Sequence, residues 1–174
     1  MIPPTTLQTE RLVLAPLRVE DADVMVGVLA DERMYEFTGG RPPTLDELTD
    51  RYRRLVVGRS ADGTESWFNW IVRLTDGTGP VGVVQATVTT DGTTADVAWE
   101  IGVEWQGRGM ASEAATAVVG WLASHRVGDV RALVHPDHVA SARVAQRAGL
   151  SPTAAMEDGE VVWVRSGPLP PAEG

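Results

Sequence analysis

Val97-Ala98-Trp99-Glu100-Ile101-Gly102-Val103-Glu104-Trp105-Gln106-Gly107-Arg108-Gly109-Met110-Ala111 joins a β-rich run to a glycine turn, and an alanine-rich helical run follows at once. Strand, glycine turn and helix in that order make an anion site. Glycines at 107 and 109 let the backbone bend without Cβ clashes, so successive N–H groups can turn inward on a phosphate. A phosphate placed there sits on the helix N-terminus, where the helix dipole favours negative charge.

Upstream, Ser66 to Leu74, Pro80 to Thr90 and Thr93 to Val103 are β-rich runs separated by Asp76-Gly77 and Asp91-Gly92, the pattern of an antiparallel meander. Earlier still, Glu10 to Leu17 reads as an opening strand, and Val19-Glu20-Asp21 supplies acidic capping for a helix over 22–29. Thr44-Leu45-Asp46-Glu47 has capping-box spacing, and Leu45, Leu48, Tyr52, Leu55 and Val56 stripe the helix behind it. Downstream, Ala111 to Ala123 is expected to form a helix packed closely on the sheet, ended by Gly128. Arg131 to Val134 reads as a short strand, Asp137 as the N-cap of a helix over 139–148, and Gly149 as its left-handed C-cap. Asp158-Gly159 turns the chain into a last strand, Glu160 to Arg165. The expectation is a single domain over residues 1–166, with 167–174 as a flexible tail.

Composition removes several chemistries. There is no cysteine, hence no disulfide framework, thiolate zinc site or cysteine nucleophile, and all 15 basic residues are arginine. Without lysine, Schiff-base chemistry and a lysine-bearing phosphate loop are excluded. A formal charge of -9 disfavours nucleic-acid and anionic-membrane partners, which are held by clustered cations. An anionic cofactor must then be held by backbone dipoles and a few arginines against the overall field. No stretch approaches the roughly 20 apolar residues of a spanning helix, and Met1-Ile2-Pro3-Pro4-Thr5 lacks the basic and apolar regions of a signal peptide, so the expected location is the cytoplasm.

Three phosphate motifs compete for the glycine turn. A nucleotide-hydrolase loop needs Gly-Lys-Ser/Thr, and the chain has no lysine. A dinucleotide fingerprint needs Gly or Ala where Ser112 stands, and belongs after the first strand of a βαβ unit, not after a meander. The third, Gln/Arg-x-x-Gly-x-Gly/Ala, is met by Gln106, Gly109 and Ala111. With the opening Thr9-Glu10-Arg11-Leu12-Val13-Leu14, the WQGRGMASEA run, HPDHVASARVAQRAGL and the closing DGEVVW, the chain resembles the RimJ/RimL branch of the GNAT superfamily of acyl-CoA-dependent N-acyltransferases over roughly residues 7 to 165.

That resemblance implies an α/β (α+β) fold: a mixed, mostly antiparallel central sheet, splayed between its fourth and fifth strands and flanked by about four helices. It implies acetyl-CoA as acyl donor, with the pantetheine in the opening against backbone of strand residues 99 to 103, Ile101 and Val103 among them. The amides of Gln106, Gly107, Arg108, Gly109, Met110 and Ala111 would hold the pyrophosphate. Arg108 either adds charge there or stays solvated. His138 stands where the family commonly has Asn on the pantetheine arm. Ser141 matches the family's serine and either protonates the leaving thiolate or is an ordinary first-turn helix serine. Homodimers are common among such relatives.

Other candidates come from the residues themselves. Glu100 would serve as general base: Trp99 and Ile101 flank it, an apolar setting would raise its pKa, and period-two alternation points it away from both. Tyr35 and Phe37 either line the acceptor pocket or anchor the loop between the first two helices. Trp67 and Trp70, three apart on one strand, face opposite sides, and Trp70 is a candidate for the acceptor groove. His135 and His138 without a third ligand make a weak metal site, so no metal is expected, and His135 would instead touch the acceptor. Glu113, in the first turn of its helix, is explained by the helix dipole. The expected reaction is direct attack of a primary amine, on a small molecule or a peptide, with the Val103 amide polarising the thioester carbonyl. The alternative is a non-catalytic acyl-CoA-binding or regulatory module that has kept the turn and lost its acid and base.

Overall fold

A computed structural model describes residues 3–167. One eight-stranded sheet runs through them: β1 (Leu7–Gln8), β2 (Leu12–Pro16), β3 (Glu65–Leu74), β4 (Pro80–Thr89), β5 (Thr94–Ile101), β6 (Asp129–Val134), β7 (Ser151–Glu157) and β8 (Glu160–Ser166). Their order is β1-β2-β3-β4-β5-β6-β8-β7. Each neighbouring pair is antiparallel except β5 with β6. Four helices complete the fold: α1 (Ala22–Val28), α2 (Leu45–Leu55), α3 (Met110–Ser124) and α4 (Val139–Arg147). The expected mixed sheet with four helices is present. The expected opening strand is two, because Thr9 Oγ1 takes up Leu12 N and reverses the chain between β1 and β2. The tail expected from 167 lies outside the described residues except for Gly167.

Register decides which side chains share a face. Leu14, Val72, Gly82 and Ile101 are cross-strand partners, as are Trp70, Val84 and Trp99. This face packs on α3 through Ala114, Ala115, Val118 and Leu122, all fully buried, and on α4 through Val144 and Ala145. Two adjacent alanines let the α3 backbone approach the strands closely. The opposite face carries Ala15, Ile71, Val83 and Glu100 as partners. Ile71 and Val83 there meet α1 and α2 through Met25, Leu29, Leu48 and Tyr52.

Trp70 belongs to the first of these cores and not to any groove. It is 0% exposed, its indole N–H donates to Thr5 O at 2.9 Å, and its ring meets Trp121 edge-on at 5.1 Å. Burying an indole with its N–H satisfied is its most favourable setting, so the acceptor role expected of Trp70 is corrected. The end of α3 differs as well. Arg126 takes the left-handed slot at φ 63, with Val127 N on Leu122 O and Arg126 N on Ala123 O. This is a Schellman arrangement made by an arginine, two residues before the expected Gly128.

Glu113 does more than complement a helix dipole. Its carboxylate accepts from Thr9 Oγ1 at 2.6 Å, Arg11 N at 2.9 Å and Arg11 Nε at 2.7 Å, fastening the first turn of α3 to the β1–β2 reversal. The same arginine reaches Arg108 O at 2.9 Å, so the clamp also holds the glycine turn. Burial works against the charged carboxylate, but the hydrogen bonds from Thr9 and Arg11 prevail and hold it below its ordinary pKa. The folded state therefore favours the ionised form. Stability from Glu113 is present above the unfolded carboxyl pKa of about 4.3 and is lost as pH falls through the lower folded value. Glu113→Gln should cost about 1–2 kcal/mol in urea unfolding at pH 7. The difference from the parent chain should shrink below about pH 4.

Candidate active site

The parallel ladder between β5 and β6 holds only three pairs, Thr94–Asp129, Ala95–Val130 and Asp96–Arg131. Beyond them the strands part, and the gap between their C-terminal halves is a cleft of about 400 Å³. In the expected numbering, which had one strand fewer before them, this is the splay between the fourth and fifth strands. Arg131 pins the closed end, with Asp96 at 3.2 Å and Glu157 at 2.7 Å. At an unpaired strand edge both faces of the sheet open into the same space. Trp99 and Glu100, which point opposite ways, therefore both line the cleft.

The glycine turn forms one end. Gly107 and Gly109 have φ of 75 and 80, left-handed values that explain both glycines. A Cβ on Gly109 would also come within 3.4 Å of Arg11 Nη2. Gln106, Gly107, Gly109, Met110 and Ala111 line the cleft, with Ser112 beside them. The Gln106 side chain donates to Ile101 O at 2.9 Å, tying the turn back to the end of β5. Ile101 lines the cleft too, with its carbonyl taken by Gln106. Val103 and Arg108 are outside the lining. Val103 opens a single 3₁₀ turn, Val103–Trp105, and the Arg108 guanidinium lies 5.5 Å from the Trp105 ring centre. Arg108 lies over the Trp105 ring, which itself lines the cleft.

The far wall is α4. Ala140, Ser141, Arg143, Val144 and Arg147 face the cleft, so the first turns of α3 and α4 both open into it. The N-cap of α4 is His138, not the expected Asp137: His138 Nδ1 accepts from Ser141 N at 3.4 Å. His135 Nδ1 likewise accepts from Asp137 N at 3.1 Å. A ring nitrogen that accepts carries no proton, so the His138 imidazole fits as a neutral ring with its N–H on Nε2. Phe37 closes over both histidines, stacked on His138 at 4.4 Å and 21° and tilted on His135 at 5.3 Å. Met34, Phe37 and Thr38 line this end, but Tyr35 does not. Tyr35 turns inward, where its hydroxyl donates to Leu29 O at 2.9 Å and holds the 3₁₀ turn Glu32–Tyr35 on α1.

Glu100 is exposed to solvent at the cleft, and the protein packed around it partly desolvates its carboxylate. This desolvation pushes its pKa up, partly opposed by Arg51 on α2. Tyr52, 2% exposed on α2, has its phenol pushed up as well, first by burial and then by the charge of Glu100. It stays protonated, and its hydroxyl takes no partner among the described residues. On the other wall, the Trp99 indole N–H donates to Ser141 Oγ at 3.2 Å, across the gap. Among the described residues no group of three or more His, Cys, Asp or Glu side chains is placed to hold a metal ion.

The family profile described as an acetyltransferase (GNAT) domain matches residues 11–151. The chain belongs to the GNAT acetyltransferase family. A curated relative, an uncharacterized N-acetyltransferase p20 of Bacillus licheniformis, is 26% identical over 143 residues, which is 80% of this chain and 78% of that protein. Among solved structures, a GNAT-family acetyltransferase from Bacillus anthracis superposes with a TM-score of 0.77 at 16% identity, covering 93% of this chain and 98% of that one. RimL, a ribosomal L7/L12 α-N-protein acetyltransferase in complex with coenzyme A, gives 0.76 at 12% identity, covering 93% and 98%. At these identities the structural likenesses are of fold. No helix among the described residues is long and apolar enough to cross a membrane.

Sequence reasoning missed two cationic residues of this GNAT cleft, Arg143 and Arg147. They are four apart on α4, both face the cleft, and neither has an ion-pair partner among the described residues. The available signal was their helical spacing behind Ser141. Trp99 was missed as a polar group because its apolar bulk dominated the reading. His138 now has two jobs in the geometry, capping α4 and stacking on Phe37. Burial, then the neighbouring His135, lowers its pKa, with Glu36 opposing. The folded state favours neutral His138, so its stabilisation is present above the unfolded pKa of about 6.5 and is lost as pH falls toward the lower folded value. His138→Asn keeps a good N-cap and should flatten the melting temperature over that window, where the parent chain becomes less stable as pH falls.

Proposed function

We propose that this chain transfers an acetyl group from acetyl-CoA to a primary amine by direct attack. The cleft fits such a donor on three counts. Left-handed glycines and a helix N-terminus form one end, a second helix N-terminus enters the same space, and Arg143 and Arg147 supply cations to a chain of net charge -9. In this reading the turn 106–111 holds the pyrophosphate through backbone amides, and the two α4 arginines answer the remaining phosphate charge. When bound, acetyl-CoA supplies an acetyl group activated as a thioester. The parted edge of β5 offers backbone to its pantetheine arm. RimL, whose fold this chain shares, is described as acting on a protein α-amine, which supports a peptide N-terminus as acceptor alongside small amines. The proposed enzyme is one domain over residues 1–166 and works in the cytoplasm.

The observation that best supports the reading is that Glu100 and Ser141 both line one cleft. Glu100 takes a proton from the attacking amine nitrogen, directly or through one water, and its raised pKa makes it a stronger base than an ordinary carboxylate. Ser141 gives its hydroxyl proton to the sulfur as the carbon–sulfur bond breaks and sulfur keeps the electron pair. Solvent then returns a proton to Oγ, and Glu100 releases its own. The rings of His138 and Phe37 wall the acceptor end in this reading.

Thiol release from acetyl-CoA should depend on an added acceptor when a short peptide with a free N-terminus, an aminoglycoside and a polyamine are compared. Coenzyme A binding without acceptor-dependent release by any of them would leave a non-catalytic acyl-CoA-binding module instead. Glu100→Gln should lower kcat/KM by on the order of a hundredfold. In the parent enzyme the acidic limb should fall at a pH above the ordinary glutamate pKa of about 4.3, since Glu100 must be ionised to act and its pKa is raised. That limb should be missing from the Gln variant, and its persistence would assign the titration to another group.

A further inference from the structure

Hydroxyls on helices usually turn back on the backbone. Thr49 donates to Leu45 O, Thr116 to Ser112 O and Ser124 to Trp121 O. Ser141, in the first turn of α4, does not. Its backbone N–H goes to His138 Nδ1, and its Oγ accepts from Trp99 Nε1 at 3.2 Å. An indole N–H can only donate, so in this pair the serine oxygen must be the acceptor. One lone pair of Oγ is then occupied, and the hydroxyl hydrogen takes no acceptor among the described residues. Both side chains line the cleft, on opposite sides of the gap between β5 and β6.

We infer that Trp99 is a positioning residue for acyl transfer, whose indole N–H fixes the Ser141 hydroxyl with its proton free for the leaving sulfur. This rests on the reading of Ser141 as the acid. Two physical effects follow from the one hydrogen bond. Rotation about the Cβ–Oγ bond is restricted, because the lone pair facing the indole cannot at the same time carry the proton there. Donation into Oγ also polarises the O–H bond, which makes the hydroxyl a better donor to an anion. The alkoxide left after proton transfer keeps the indole N–H as a partner until solvent reprotonates it, so the same contact stabilises the acid before and after it has acted. Trp99 packs on the α3 side of the sheet, so its ring is braced by the core while its N–H faces the gap.

The test separates the N–H from the ring. Trp99→Phe removes the donor, and β-(3-benzothienyl)alanine introduced at position 99 removes it with the bicyclic shape kept. Each is assayed by thiol release from acetyl-CoA with the fastest amine of the panel, or by acetyl-CoA hydrolysis where no amine is turned over. Both changes should lower kcat roughly three- to tenfold and leave KM for acetyl-CoA within about twofold, the size expected for one hydrogen bond. In a Ser141→Ala background the same changes should have no further effect. An undiminished effect in that background would overturn the inference and leave the acid role of Ser141 standing. Full activity of Ser141→Ala itself would remove that role and the inference together. The chain has six tryptophans, and the indole cross-peak that Trp99→Phe deletes from an ¹H–¹⁵N spectrum identifies position 99. That peak should move in Ser141→Ala, and an unmoved peak would show that the bond does not form in solution.

Discussion

The parting of β5 from β6 is the constraint on which the rest of the molecule depends. Parallel pairing lasts from Thr94–Asp129 to Asp96–Arg131 and then stops, although both strands continue. Past that point each edge presents backbone polar groups that a sheet would pair, and a folded chain must satisfy them in some other way. Some are met internally: Gln106 covers Ile101 O, and Gly102 N turns away to Val81 O on β4. The remainder face an opening that is kept from collapsing by what spans it. Trp99 reaches Ser141 across the gap, and Arg131 ties the closed end to strands on both sides. A cleft built this way has a backbone edge for a floor and side chains from both faces of the sheet for walls.

The same geometry shapes the electrostatics of the cleft. Its α3 and α4 walls bring two helix N-termini and two arginines without ion-pair partners among the described residues, an anion-seeking surface within a chain of net charge -9. The same space also holds Glu100, whose carboxylate is partly desolvated, and His138, whose Nδ1 caps the first turn of α4. Net charge does not describe such a surface. Local backbone dipoles act over a few ångströms, whereas the acidic surface acts through screened solvent, so the nearer groups set the field that a bound molecule meets.

How much of this the sequence carried depended on the range of the interaction. The capping box at Thr44 and Glu47, the left-handed glycines at 107, 109 and 149, and the period-two placement of Glu100 were all legible, because each is set within a few residues. Even there, local chemistry offered near ties. His138 took the cap that Asp137 could have taken, and Arg126 took the left-handed slot before the chain reached Gly128. Contacts between distant residues left no local trace. The clamp of Glu113 on Arg11 joins positions 102 apart, and Trp70 is held by Thr5, 65 residues away. Strand alternation separates Trp67 from Trp70, but it does not say which face a helix will cover. Of the two roles open to Tyr35 the loop anchor is the one seen, because its hydroxyl has a backbone acceptor in Leu29, the C-cap of α1, that only the folded loop brings near.

One consequence of the arrangement is that the two halves of the candidate site are not mechanically independent. Phe37 belongs to the loop between α1 and α2, on the Glu100 side of the sheet, yet its ring rests on His138, which caps the helix that carries Ser141. Ser141 is in turn held from the other wall by Trp99, whose neighbour on the strand is Glu100. These contacts form a series along the cleft: Phe37, the His138 cap, Ser141 and Trp99. A displacement of Phe37 changes the support of the His138 imidazole, and the Ser141 amide loses part of its cap if that imidazole turns. The position of Phe37 and that of Ser141 are thus linked through the Phe37–His138 stack and the His138–Ser141 hydrogen bond. Bracing of this kind lets His138, Ser141 and Trp99 keep their positions beside an open cleft, because each is held by a contact that does not depend on anything bound there.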